Sequence, residues 1–245
     1  MRMEQVWRFT SWLDRLAFMT PRDIGLFLKS ARTDAALAKL RTKQGSRGAF
    51  EAIYAASADP WASASTDYRY QRRKYETLVG LLPAGRRFTR ALDLGCGLGL
   101  MSRLIAVRAD EVVGFDVAQT AIGHARAAHR TVGNLTFQQG DVLDLPSTFD
   151  AGFDLLVIAD VLYYLMPLDD AVLASLAHRV ADLLVPGGVC LLANHFFFSA
   201  DAESRVSRRI HRAFAACPRL HVVSEHRRFF YLATMLTGTP LLPAA

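Results

Sequence analysis

The chain has 245 residues, of which 51% are hydrophobic and 21% charged. This length and composition suit one large α/β domain with a short appendage, and they exclude a disordered or fibrous protein. The formal charge of +6 at pH 7 leaves nucleic acid, an anionic membrane and an anionic substrate open as partners.

The distribution of apolar residues bears on the cellular compartment, and the spacing of the cysteines bears on metal binding. No apolar run reaches the roughly 18 to 20 residues needed to cross a bilayer, and acidic and basic residues interrupt the N-terminus. We therefore expect a soluble, cytoplasmic protein. The three cysteines are widely spaced and form no CxxC pair or zinc pattern, so we expect reduced thiols and no bound metal: Cys96, Cys190 and Cys217.

Residues 1–45 are predicted to form a helical extension. A first amphipathic helix is indicated by apolar residues at helical spacing with arginines between them: Val6, Phe9, Trp12, Leu13 and Leu16. This helix could pack against its own domain or rest peripherally on an anionic membrane. Pro21 begins a second helix, and Thr33 is predicted to cap a short third one. Residues 44–48 contain two glycines and small polar residues, so we predict a linker there and a main domain over 46–245.

The main domain alternates β-rich runs with helical patterns, which is typical of a parallel sheet built from βαβ units. We predict strands near 90–94, 111–115, 134–138, 153–158 and 188–194. A helix begins at Asp169 and Asp170 and is stopped by residues 186–188. A further helix is predicted around 201–216. Two β-rich runs, 221–224 and 228–234, lie too close for a helical crossover, so the last strand should be antiparallel.

The most informative stretch is a glycine-rich loop that follows the first of these strands. Its glycines stand at Gly95, Gly97 and Gly99, whereas a dinucleotide-binding loop would need its third glycine at the place of Leu100. Such a loop lets the backbone approach a ligand closely, and Asp93 can accept hydrogen bonds from an ammonium group, directly or through water. The predicted ligand is cationic at that end and has no pyrophosphate.

This stretch resembles motif I of the class I S-adenosylmethionine-dependent methyltransferases, and the resemblance extends over roughly residues 88–235. It implies a doubly wound, mostly parallel, seven-stranded Rossmann-like sheet with an antiparallel last strand. It also implies S-adenosylmethionine as cofactor and S-adenosylhomocysteine as product. In this family Asp116 would take the ribose hydroxyls, while Asp141 and the backbone amide of Val142 would contact adenine. Alternatively, Asp116 could merely cap the next helix, and Asp141 could belong to a turn.

A more specific resemblance connects four segments to the NodS-like branch, whose members N-methylate the freed amine of a chitooligosaccharide. The segments are 50–54, Asp-Pro-Trp at 59–61, 68–75 and 160–165. An amino sugar or related glycan is the acceptor that this implies. The aromatic residues of these segments could form a lid, with Arg73 reaching the cofactor's carboxylate, or could pack the N-terminal helix onto the sheet: Trp61, Tyr68, Tyr70 and Tyr75. The expected cofactor-binding set is Asp93, Gly95, Cys96, Gly97, Gly99, Asp116, Val117, Asp141, Val142, Asp160 and Arg73.

Three residues are candidates for the chemistry: Asp160, His195 and Tyr163. Asp160 and His195 follow the fourth and fifth strands, where they could accept or steer the proton of an amine, although His195 could also be structural. Tyr163 and Tyr164 are expected to divide their roles, one lining the acceptor cavity and the other packing in the core.

Three functions remain in competition: an N-methyltransferase acting on an amino sugar, an O-methyltransferase acting on a hydroxylated or carboxylated metabolite, and a cofactor-binding protein without turnover. Nucleic acid is disfavoured as acceptor. An Asp/Asn-Pro-Pro-Tyr/Phe motif is missing at 160–163, and a Pro-Cys nucleophile occurs only in reverse, at Cys217-Pro218. The arginine-rich segment 201–230 could be a solvated face or an anion contact. We expect a monomer or homodimer with a small-molecule substrate.

Overall fold

The computed structural model describes residues 21–197, 201–228 and 230–239. The predicted first amphipathic helix, and with it the predicted membrane contact, lies outside the described residues. Within them, no helix is both long and apolar enough to cross a bilayer.

The described part of the N-terminal extension is one long helix with a kink. Helix α1 (Pro21–Ala56) contains Gly45 in a non-helical conformation, with φ 73° and ψ 174°. The prediction that Thr33 starts a new helix is wrong, because the helix continues through it. The Thr33 hydroxyl instead donates to the carbonyls of Lys29 and Pro60, at 3.2 and 2.7 Å. The predicted linker at 44–48 is thus a bend between two helical segments, and helix α2 (Arg69–Gly80) follows it.

The seven-stranded, mostly parallel sheet is confirmed. Its spatial order is β3-β2-β1-β4-β5-β7-β6, and β7 is antiparallel to both of its neighbours. The strands are β1 (Phe88–Leu94), β2 (Ala109–Asp116), β3 (Leu135–Gln139), β4 (Phe153–Ala159), β5 (Leu184–His195), β6 (Leu220–Arg227) and β7 (Tyr231–Gly238). The strand order reverses between β1 and β4, which is where open α/β sheets place their ligands.

The remaining α-helices connect the strands: α3 (Leu100–Ile105), α4 (Gln119–Ala128), α5 (Asp170–Leu183) and α6 (Ala202–Ala215). Helix α5 begins as predicted, since the Asp169 side chain accepts a hydrogen bond from the amide of Val172 at 2.8 Å. Its predicted stop is wrong. The helix ends at Leu183, and residues 186–188 already belong to β5.

Two apolar layers cover the two faces of the sheet. Leu92, Leu94 and Leu156 face one layer, and Ala91 and Leu155 face the other. Because both faces are buried, these strands are nearly continuous in apolar residues. Polar side chains accumulate instead where the parallel strands end, and this edge carries the site.

The arginine-rich segment contains a partly solvated ionic surface. Arg209 pairs with Asp170 at 2.7 Å and Arg219 pairs with Asp182. Arg227 lies over the ring of Phe196 at 4.5 Å. These contacts fit the solvated-face interpretation at the positions concerned.

Candidate active site

A cavity of about 720 Å³ opens at the carboxyl ends of β1, β2, β4 and β5. The glycine loop and the strand ends form its floor, and α1, α2 and the segment between them form its roof. It is large enough for a nucleoside-sized ligand together with part of a second molecule. The predicted site residues on its wall are Gly95, Cys96, Gly97, Asp116, Val117, Asp141, Val142, Asp160, Tyr163 and His195.

The glycine loop needs glycine at two positions on the cavity wall. Gly95 and Gly97 have φ values of 73° and 49°, in the left-handed region. A Cβ at Gly95 would lie 2.0 Å from Val161, and one at Gly97 would lie 2.7 Å from the hydroxyl of Tyr54. Glycine is therefore required for the tight turn, which is fastened by hydrogen bonds from the amides of Gly95 and Cys96 to the Phe115 carbonyl, at 2.7 and 3.1 Å. Gly99 precedes α3 and does not line the cavity.

Asp116, the last residue of β2, stabilises the glycine loop through a side-chain hydrogen bond. Its two oxygens accept hydrogen bonds from the amides of Gly97 and Ala118, each at 2.9 Å. Burial raises the pKa of Asp116, although these two amides oppose the change. Asp116 therefore both makes a cap-like bond to Ala118, the residue before the following helix, and lines the cavity. Each of its oxygens retains a lone pair that can accept a hydrogen bond from a hydroxyl group of a ligand.

Asp93 lies beneath the loop and does not line the cavity. It is 2% exposed and accepts a hydrogen bond from the Ser102 hydroxyl at 2.5 Å. Burial raises its pKa to about 7, and the bond from Ser102 limits the rise. The predicted contact between Asp93 and an ammonium group stays a prediction, while the structure shows Asp93 anchoring α3 under the loop.

At the opposite wall, Asp141 and Val142 follow β3, and Val117 follows β2. The Asp141 side chain accepts a hydrogen bond from the amide of Leu143 at 2.9 Å, so it stabilises a turn and also lines the cavity. Val142 presents a buried apolar surface beside it. An acidic group next to an apolar surface suits a flat heterocycle with an exocyclic amine.

Asp160 forms a buried ion pair that the sequence did not predict. It has a positive φ of 59°, and its Oδ2 bonds to Lys74 Nζ at 2.5 Å. The Lys74 side chain is fully buried. His195 Nε2 lies 3.8 Å from Asp160 Oδ1. Burial raises the pKa of Asp160, but the charge of Lys74, together with that of His195 when it is protonated, outweighs this effect, and the pKa is lowered.

One signal for this pair was present in the sequence. Tyr70, Lys74 and Leu78 follow one another at four-residue intervals, so they share a face of α2, and all three are buried. A lysine on a buried helical face needs an acidic partner. Arg73, in contrast, is exposed and does not line the cavity, so its predicted contact with the cofactor is not supported.

Aromatic rings surround the part of the cavity beyond Asp160. We call this set the aromatic belt, in which each ring centroid lies 4.2 to 6.1 Å from the next: Trp61, Tyr164, Tyr163, His195, Phe197, Phe27, Phe230, Tyr70 and Tyr68. Tyr163 stacks on His195. The division of roles between Tyr163 and Tyr164 is less sharp than expected, because both line the cavity and Tyr163 also packs against the core that contains Leu162.

Asp34, which the sequence did not single out, organises one side of the belt. Its Oδ1 accepts hydrogen bonds from Trp61 Nε1 and the Tyr164 hydroxyl, each at 2.7 Å. Asp34 belongs to the predicted N-terminal extension, so this extension contributes directly to the cavity wall. The role of Asp34 depends on its contact with Tyr164, 130 residues away in the chain, and local sequence patterns do not encode such contacts.

The part of α1 after the Gly45 bend forms the roof over the glycine loop. Tyr54 is buried, and its hydroxyl lies near Gly97. The Glu51 carboxylate accepts hydrogen bonds from the amide of Thr120, at 3.1 Å, and from its hydroxyl. Thr120 lies in the first turn of α4, so Glu51 ties the roof to the sheet domain at a helix end that favours negative charge.

Known proteins resemble this chain in sequence and in fold. The profile of a family described as methyltransferase domain matches residues 91–188. Nodulation protein S of Sinorhizobium fredii is 26% identical over 158 residues, which are 64% of this chain and 68% of that protein. A malonyl-[acyl-carrier protein] O-methyltransferase of Enterobacter lignolyticus is 34% identical over 119 residues, 49% of this chain and 43% of that protein.

Among solved structures, the N-methyltransferase NodS of Bradyrhizobium japonicum in complex with S-adenosyl-L-homocysteine superimposes with a TM-score of 0.64. It covers 86% of this chain and 98% of that chain, at 18% identity. At this level of identity the match concerns the fold.

Proposed function

We propose that this chain, which is a class I S-adenosylmethionine-dependent methyltransferase of the NodS-like type, methylates an amine of a small molecule, and that the acceptor is an amino sugar or a related glycan. The observation that carries the choice of an amine is the group of Asp160, Lys74 and His195 at the edge of the aromatic belt. The similarity to nodulation protein S supports a glycan acceptor.

The residues on the cavity floor fit S-adenosylmethionine. Gly95 and Gly97 form a tight backbone turn without side chains on the cavity wall, and Asp116 offers a carboxylate beside them. Asp141 and Val142 are suited to the adenine ring. When bound, the cofactor supplies a methyl group on a positively charged sulfur, which an acceptor takes by in-line displacement.

Asp160 has one oxygen available for the acceptor. Because Lys74 binds Oδ2 and lowers the pKa of the carboxyl group, Asp160 stays ionised, and its Oδ1 can accept an N–H bond and orient the amine. An ion-paired carboxylate with a lowered pKa is a weak base. Its role is therefore to position the nucleophile.

His195 is the group that takes the proton. Burial lowers the pKa of His195, Lys74 adds to this effect and Asp160 opposes it, so the imidazole is neutral at neutral pH. A neutral imidazole can remove the proton that an ammonium group must lose before it attacks. An alcohol needs a much stronger base, which favours nitrogen over oxygen as the nucleophile.

The test is a transfer assay with labelled S-adenosylmethionine and deacetylated chitobiose. N-acetylated chitobiose, which has the same hydroxyls and no free amine, is the matched control. We expect methyl transfer to the free amine alone. The Asp160→Asn variant should lose about a hundredfold in kcat/KM, with its affinity for S-adenosylhomocysteine, measured by titration calorimetry, nearly unchanged.

The other outcomes separate the competing functions. Equal labelling of the acetylated and deacetylated sugars, or labelling of hydroxylated and carboxylated metabolites alone, would replace the amine with oxygen as acceptor. Cofactor binding without transfer to any acceptor would indicate a binding protein. As a check on the cofactor site, Asp116→Ala should abolish measurable binding, since it removes the charged partner of the loop.

A further inference from the structure

Two buried polar atoms on the cavity wall have no hydrogen-bond partner among the described residues. They are the hydroxyl of Tyr70 and Oδ1 of Asp160. Tyr70 is 9% exposed. A buried polar group without a partner destabilises the folded state, and a phenylalanine at position 70 would avoid this cost. Such atoms on the wall of a binding cavity are therefore expected to meet a ligand.

The two atoms lie on connected parts of the wall. Tyr70 precedes Lys74 by one helical turn on the same buried face of α2, and Lys74 holds the other oxygen of Asp160. Burial raises the pKa of Tyr70, and the charge of Asp160 is the next cause, which agrees with their proximity. The two unpartnered atoms thus belong to one cavity wall, on residues that Lys74 links.

Tyr70 is held in place by a hydrogen bond of its backbone and by a contact of its ring. Its backbone amide donates to the fully buried Asp23 carboxylate at 3.2 Å. Its ring stands edge-on to Phe230, with centroids 5.3 Å apart and an interplanar angle of 89°. The hydroxyl is consequently fixed on the cavity wall, as a group that discriminates between ligands must be.

We propose that Tyr70 is a specificity-determining residue that recognises a hydroxyl group on the carbon next to the reacting amine, so that the preferred acceptor is a vicinal amino alcohol. The amine donates to Asp160 Oδ1, and the neighbouring hydroxyl oxygen accepts a hydrogen bond from Tyr70. This inference rests on the proposed amine methylation and narrows it to a substrate class.

The acceptors for the test are deacetylated chitobiose and its analogue without the hydroxyl beside the reacting amine. A site that hydrogen-bonds a substrate hydroxyl discriminates strongly against an analogue that lacks it. We expect the wild-type enzyme to prefer the hydroxylated acceptor by about ten- to a hundredfold in kcat/KM. Tyr70→Phe should lose most of this preference while its rate with the deoxy analogue stays close to that of the wild type.

Tyr231→Phe is the matched control, since it removes a tyrosine hydroxyl in the same region from a residue that does not line the cavity. It should keep the preference. The melting temperature of unliganded Tyr70→Phe should equal or exceed that of the wild type, because the Tyr70 hydroxyl has no hydrogen-bond partner among the described residues. A clearly lower melting temperature would indicate a structural role and would contradict the inference.

The kinetic outcomes distinguish the two proposals. If the wild-type enzyme methylates neither sugar amine, the proposed function fails and this inference fails with it. If it methylates both acceptors equally well, or if Tyr70→Phe keeps the preference for the hydroxylated one, amine methylation stands and the role of Tyr70 is overturned.

Discussion

The acidic residues on the cavity wall and beneath it differ in their environments, and the differences assign their tasks. Asp160 is ionised beside Lys74, whereas Asp93 is buried with only the hydroxyl of Ser102 as its side-chain partner. Burial therefore works against the charge on Asp93, while an ion pair maintains the charge on Asp160. The raised pKa of Asp93 therefore destabilises the folded protein as pH rises, whereas the lowered pKa of Asp160 destabilises it as pH falls.

Asp93 should make the unliganded protein less stable as pH rises. Burial raises its folded-state pKa from the ordinary 3.8 to about 7. Between these two values the unfolded chain releases the proton and the folded chain keeps it, so the free energy of unfolding falls with increasing pH. At about 1.4 kcal/mol per pH unit, the contribution is at most about 4 kcal/mol.

Asp93→Asn removes this titration and can still accept the bond from Ser102. Urea unfolding at pH 5 and pH 7.5 should show a smaller loss of stability for the variant than for the wild type over this interval. Parallel pH profiles for the two proteins would contradict the raised pKa.

Individual residues were predictable where strand ends and motifs mark them. Asp116, Asp160 and His195 all line the cavity, because a residue that follows a parallel strand is placed at the ligand edge by the fold. Lys74 and Asp34 were missed. Their roles depend on partners 86 and 130 residues away in the chain, which are Asp160 and Tyr164.

Among the elements, α2 is joined to the sheet by the apolar packing of Leu78 and by one buried ion pair. Lys74 joins it to the end of β4 through Asp160. Lys74→Met would leave a buried carboxylate without its partner, and we expect a loss of about 3 to 5 kcal/mol in the free energy of unfolding. The double variant Lys74→Met with Asp160→Asn should recover much of this loss, because no buried charge remains.

A neighbouring surface pair provides the control. Arg72 lies 4.0 Å from Glu76, and both side chains are more than half exposed. Arg72→Met should cost less than about 1 kcal/mol. Equal losses for Arg72→Met and Lys74→Met in urea unfolding would show that the buried pair does not hold α2.

Element boundaries were predicted well in the sheet and poorly in α1. The sequence pattern of a strand is local, because an apolar run between two turns is enough to identify the strand. The bend in α1 occurs at Gly45, where the sequence indicated a linker, but packing over the glycine loop keeps helical structure on both sides. Tertiary contacts therefore overrode the local preference.

At the scale of the whole molecule, the roof and the sheet enclose between them the cavity in which we propose that the cofactor binds. Glu51 connects the two parts through Thr120. Glu51→Ala should speed the release of S-adenosylhomocysteine by about tenfold, because a charge-assisted contact that closes the cavity is lost. Stopped-flow displacement measures this rate.

Glu76→Ala is the corresponding control, since Glu76 is an exposed glutamate on α2 that does not line the cavity. Its release rate should match that of the wild type. An unchanged rate in Glu51→Ala would mean that this contact does not control the exit of the cofactor.

The place of β7 in the sheet also constrains how the protein folds. Strand β6 precedes β7 in the chain, but its partner in the sheet is β7, which separates it from β5. Residues 189–195 of β5 therefore lack a neighbour on one side until the later hairpin arrives. Closure of the sheet thus waits for contacts between segments more than 30 residues apart, which slows folding and leaves an apolar strand edge open to other chains in the meantime. We therefore expect chaperones to bind the nascent chain mainly after β5 has been synthesised and before β7 pairs with it.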